Sequence, residues 1–81
     1  MDIELTKDEE ELILFLSVNG SSFIEDILEK CMHVSKINTV LADLINKDFV
    51  EPYLRNRDIC GFHIDMAYAL TSKGIEAIEW M

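Results

Sequence analysis

The sequence predicts an α+β, mostly α domain: three helices, a β-hairpin and a closing helix, in that order. Three observations predict it. Apolar residues recur at helical spacing in three segments before residue 48, and they alternate with a period of two between residues 61 and 70. Polar residues suited to capping stand just ahead of the helical segments. At 81 residues, the chain has room for a single domain, residues 1–81, around one hydrophobic core.

Thr6-Lys7-Asp8-Glu9 has the form of a capping box, in which the Thr6 hydroxyl and the Glu9 carboxylate each accept from the other's backbone amide. Acids at positions 8 to 11 lie where the helix dipole favours negative charge. A first helix over about 7–17 turns Leu12, Ile13, Phe15 and Leu16 inward, and Asn19-Gly20 stops it, since both residues tolerate positive φ. Ser22-Phe23-Ile24-Glu25 repeats the capping-box form. The second helix, about 23–31, turns Phe23, Ile24, Ile27, Leu28 and Cys31 inward and Glu25, Asp26, Glu29 and Lys30 outward. Ser35 is the N-cap candidate for a third helix, about 36–47, in which Ile37, Val40, Leu41, Leu44 and Ile45 form one apolar stripe. Lys47 falls in its last turn, where a cation is favoured.

After Asp48 the pattern changes. Phe49-Val50-Glu51-Pro52-Tyr53-Leu54 reads as extended, and Pro52 confines that strand to a sheet edge. Arg55-Asn56-Arg57-Asp58 is polar and turn-prone. The return strand places Phe62, Ile64, Met66, Tyr68 and Leu70 on one face, with Gly61, His63, Asp65, Ala67 and Ala69 on the other, so the hairpin spans about 49–70. Thr71 caps a last helix from about 72, with Ile75 and Ile78 inward and Glu76 and Glu79 outward. Trp80 and Met81 either close the core or present an apolar anchor to a partner or a second copy, a homodimer being one such outcome.

Charge narrows the function classes. Sixteen acids against seven bases give a net charge of −9, and −7 of it lies in residues 1–32. Residues 33–60 carry four charges of each sign and residues 61–81 add −2. A field of that sign repels nucleic acid and attracts basic protein surfaces. The longest apolar run, Leu12 to Leu16, is far too short for a membrane helix, and the acidic start is unlike a secretory signal, so the expected location is cytoplasmic. Two cysteines, Cys31 and Cys60, are too few for an extracellular disulfide framework and are expected as reduced thiols.

The order of elements resembles the winged helix-turn-helix superfamily. The segment Val40-Leu41-Ala42-Asp43-Leu44-Ile45-Asn46-Lys47-Asp48-Phe49-Val50 looks like the end of a recognition helix and the entry to a wing, with Asp48 near the left-handed conformation where such families often have glycine. Tyr68-Ala69-Leu70-Thr71-Ser72-Lys73-Gly74 is similar to the return strand and helix start of regulators of the multiple-antibiotic-resistance type. The likeness covers residues 6 to 80. It implies a third helix that enters the DNA major groove through Ser35, Lys36, Asn38, Thr39, Ala42 and Asp43, and a hairpin tip of Arg55, Asn56 and Arg57 on phosphates or in the minor groove. Two departures stand against DNA: the second helix shows Glu25, Asp26 and Glu29 with only Lys30, and the 81 residues offer no pattern expected of a further helix or effector domain for dimerisation.

Catalytic chemistry is not expected. Gly20, Gly61 and Gly74 are scattered and form no phosphate loop, and neither His33 nor His63 stands in a catalytic grouping. Cys31, His33, Cys60 and His63 are residue types that zinc accepts, but a Cys-x-His pair is tighter than usual ligand spacing, so no metal, cofactor or small-molecule ligand is expected. The leading expectation is a non-enzymatic module of inhibitor, immunity-protein or DNA-mimic type. Its surface Asp8, Glu9, Glu11, Glu25, Asp26 and Glu29 would dock on a basic partner such as a nuclease, a toxin or nucleic-acid machinery. The alternative is a small DNA-binding transcription regulator, and plain solubilisation by an acidic face accounts for the same residues.

Overall fold

The computed structural model describes residues 5–31, 34, 36–56 and 64–80. Thr6 and Glu9 form the expected capping box, and the first helix, α1, runs over Lys7–Asn19. Gly20 ends it at φ 73, donating its amide back to the Leu16 carbonyl. Leu12, Ile13 and Leu16 are buried, as the helical spacing predicts.

A short strand follows that the sequence did not announce: β1, Ser22–Phe23. Ser22 is therefore no helix cap. Its hydroxyl bonds to the Gly20 carbonyl, and Phe23 takes the N-cap position of α2, Ile24–Lys30, without a side-chain cap. Seven residues give α2 fewer than two full turns toward the core. Ile27 is fully buried, while Leu28, expected inward, is exposed.

The third helix, α3, spans Ile37–Asn46 with Ile37, Val40, Leu41 and Leu44 buried, which bears out the apolar stripe. Its N-cap position is Lys36, in the left-handed region at φ 55, with no side-chain cap; Ser35 lies outside the described residues. Asp48 also stands in the left-handed region, at φ 67, matching the expectation at the turn into the hairpin. Two strands follow, β2 over Val50–Asn56 and β3 over Ile64–Leu70, and then helix α4 over Ser72–Ile78. The Thr71 hydroxyl accepts from the Gly74 amide and so caps α4 as predicted.

The three strands form one antiparallel sheet in the order β1-β3-β2. In the β2–β3 register, residue numbers opposite each other sum to a constant, with Val50 facing Leu70 and Asn56 facing Ile64. The Thr71 amide bonds to the Phe49 carbonyl at 3.0 Å, which continues that register one step. Backbone groups alternate in direction along a strand, so odd-numbered residues of β2 turn their N–H and C=O toward β3. Pro52, even-numbered, has its nitrogen on the open side, where a missing N–H costs no ladder bond. The edge placement read from Pro52 holds.

The hairpin corrects the sequence reading in two ways. Arg55 and Asn56 belong to β2 itself, paired with Asp65 and Ile64, and are not part of a turn. Only the root of the apolar face covers the helices: Val50 is buried and Tyr68 and Leu70 pack on the core. Farther out, Leu54 (69% exposed), Ile64 and Met66 overhang it. Alternation specifies which residues share a face; it does not specify how far the helical layer extends beneath them. In α4 the inward positions are Gly74 and Ala77, with Ile78 half-buried and Ile75, expected inward, exposed. Trp80 is 65% exposed and does not close the core. Among the described residues, no helix is long and apolar enough to cross a membrane.

Candidate interaction surfaces

The acidic residues singled out by sequence do not form one surface. Glu25, Asp26 and Glu29 are all exposed on α2, together with Lys30. Asp8 and Glu11 on α1 are partly buried. Glu9 is 3% exposed and leaves the candidate surface altogether. Its Oε1 accepts from the Thr6 amide at 3.0 Å, and both carboxylate oxygens accept from the Lys47 ammonium, at 3.0 and 2.8 Å. Burial is the strongest single influence on this carboxyl and pushes its pKa up. The bonds from Lys47 and Thr6 together outweigh it and hold the group below the ordinary glutamate value. Glu9 is thus an internal tie between the start of α1 and the end of α3.

The outward face of α3 is where the sequence placed it: Lys36, Asn38, Thr39, Ala42 and Asp43 are all exposed. Its charges, one from Lys36 and one from Asp43, cancel. Of the cations expected to support DNA contacts, Lys36 is exposed and Arg55 is engaged within the domain. The Arg55 guanidinium donates to the Ser21 hydroxyl at 3.0 Å and lies 5.3 Å from the centre of the Phe23 ring. Lys47 is held by Glu9, and the Lys73 ammonium lies 5.1 Å from the centre of the Phe49 ring. Asn56 is exposed, and Arg57 lies outside the described residues.

The four zinc-type residues are not assembled by what is described. Cys31 is a buried free thiol, its pKa raised first by burial and then by the nearby Glu11 carboxylate. His33, Cys60 and His63 lie outside the described residues. Among the described residues, no group of three histidines, cysteines or carboxylates is placed to hold a metal ion.

One cluster had no clear mark in the sequence. Asp48, Glu51 and Glu76 line a single trough with Lys73. The three acids are scattered along the chain, Asp48 after α3, Glu51 in β2 and Glu76 in α4. The usable signal was the hairpin register. Glu51 faces Ala69, and the Thr71 hydroxyl donates to the Asp48 backbone carbonyl, so the chain at both positions runs beside the start of α4.

The fold and these surfaces define a small α+β domain of four helices and a three-stranded antiparallel sheet. No family model matches the chain, and no curated protein or solved structure matches it either.

Proposed function

We propose that the chain is a non-enzymatic winged-helix binding module that docks its acidic side on a basic protein surface. The order of helices and strands supports the winged-helix reading, as does the left-handed Asp48 at the entry to the hairpin. One contrast carries the protein-binding reading. Asp26 and Glu29 stand exposed on α2 beside Glu25, whereas Arg55, the described cation of the hairpin, is engaged with Ser21 and Phe23. Binding of duplex DNA gains much of its free energy from neutralised phosphates, and Arg55 of the hairpin is already engaged within the domain. The docking set is therefore Glu25, Asp26 and Glu29 on α2; a basic nuclease, toxin or nucleic-acid-handling protein fits it by charge.

A second reading, a small DNA-binding regulator, is favoured by the exposed Lys36, Asn38 and Thr39 on α3. The two readings rank the same variants in opposite order. Charge reversal at Glu25, Asp26 and Glu29 abolishes capture of a basic protein from native lysate and leaves duplex binding unchanged or improved. Charge reversal at Lys36 and Arg55 weakens duplex binding and lowers its salt slope by about one unit per lost phosphate contact. Submicromolar binding of random duplex at physiological salt, lost in the Lys36/Arg55 variant, would establish the second reading at the expense of the first.

A further inference from the structure

Where α3 gives way to the hairpin and the hairpin to α4, two depressions share a wall. The first, of about 440 Å³, is an apolar groove lined chiefly by Leu16, Ala69, Leu70, Ile75 and Ile78. The second, of about 680 Å³, is the trough that holds Asp48, Glu51, Glu76 and Lys73. Leu70 and Ile75 line both. Glu51 in the trough and Ala69 in the groove are direct cross-strand partners, so they lie on the same face of the sheet. Three carboxylates against one ammonium leave the trough two negative charges in excess.

We propose that groove and trough together bind a small organic cation with an apolar body, the body in the groove and an ammonium or amidinium head in the trough. Each half excludes a different class. A hydrated metal ion or a bare ammonium gains nothing from the groove, and an anion is repelled by the carboxylates. A second copy of the chain brings a charge of −9 to an already acidic surface. The groove's volume lies within the range of sites that hold compact organic ligands. Ile75 now has a role: turned outward at 58% exposure, it forms the step between the two halves. The proposal departs from the sequence expectation of no small-molecule ligand, because that expectation rested on motifs and this site is made by register. It shares no residue with the acidic face of α2 or the outward face of α3, so it does not depend on the proposed function.

The test is a titration of the whole chain followed by amide chemical shifts in heteronuclear NMR. The probes are benzyltrimethylammonium, phenylmethanesulfonate (a similar body with a negative head) and tetramethylammonium (the head alone). Benzyltrimethylammonium should give saturable shifts at Ala69, Leu70, Ile75 and Ile78. The sulfonate should give none, and tetramethylammonium should bind at least tenfold more weakly. The double variant Glu51→Gln/Glu76→Gln and the single variant Ile75→Ser should each weaken binding at least fivefold. All three positions are exposed, so the fold is retained, and the comparison of probes decides the matter even if one variant fails to fold. Reversal of Glu25, Asp26 and Glu29 should leave the titration unchanged. No saturation below about 10 mM would overturn the proposal. So would equal binding of cation and sulfonate, equal binding of the head alone, or an affinity indifferent to Glu51 and Glu76.

Discussion

Glu9 shows how one side chain can be half legible. Its bond to the Thr6 amide spans three positions, and the capping-box pattern announces it. Its bonds to Lys47 span 38 positions and depend on how α1 lies across α3, which no local pattern encodes. Hence Glu9 looked like a surface acid and is a buried one. Because its pKa is lowered in the fold, the ion pair contributes stability that is fully present above the unfolded-state value, about 4.3, and is lost as the pH falls through the lower folded value. Glu9→Gln keeps the capping geometry and removes the charge. With the Lys47 side chain 41% exposed and partly screened, the substitution should cost about 1 kcal/mol at neutral pH. Below about pH 4 the difference from wild type should shrink, because wild-type Glu9 is then becoming protonated as well. Urea denaturation of both proteins across that range measures it. A gap that stays constant would mean that Lys47 does not hold Glu9 in solution.

Among the elements, the buried stripe of α3 was legible, though not its Lys36 N-cap, and that of α4 was not. The reason is side-chain size. In α3, large apolar residues recur at the helical period, so the buried stripe is also the apolar stripe. In α4 the buried positions are small, Gly74 and Ala77, which brings the helix close to the chain at Phe49 and leaves Ile75 facing the groove. A reading weighted by hydrophobicity puts Ile75 inward and passes over Gly74. A Cβ built on Gly74 would collide with the Phe49 carbonyl oxygen, whose own bond to the Thr71 amide anchors the hairpin root. In an open helix interior, Gly→Ala stabilises by about 1 kcal/mol. Here the collision is with backbone, which cannot rotate away, so Gly74→Ala should instead destabilise by about 3 kcal/mol. Thermal melts read the sign directly; a raised melting temperature would place α4 farther from Phe49 than described. The hairpin teaches the same lesson from the other side. Its faces were assigned from alternation, and the exposed Leu54, Ile64 and Met66 were missed because overhang is a property of the whole fold.

At the scale of the whole molecule, charge is the most legible property, and it has a consequence for stability as well as for binding. A net charge of −9 on 81 residues means that folding concentrates like charge, most of it contributed by α1 and α2. One described ion pair opposing this, Glu9 with Lys47, has a buried carboxylate and a 41% exposed ammonium and so is partly screened. Repulsion among exposed acids is screened within a Debye length of about 10 Å at 0.1 M salt. Raising sodium chloride from low concentration to about 0.5 M should therefore stabilise the fold, by about 1 kcal/mol or a few degrees in melting temperature for a domain this small. Chloride serves better than sulfate here, because sulfate strengthens apolar burial as well and would confuse the two effects. The source of the effect is separable: Asp26→Asn/Glu29→Gln removes two exposed charges from α2. This variant should melt higher than wild type at low salt and gain less from added salt, the two proteins converging as screening becomes complete. A melting temperature that falls with salt would mean that attractive pairs dominate the surface, and α2 would then lack the net negative field on which docking to a basic partner relies.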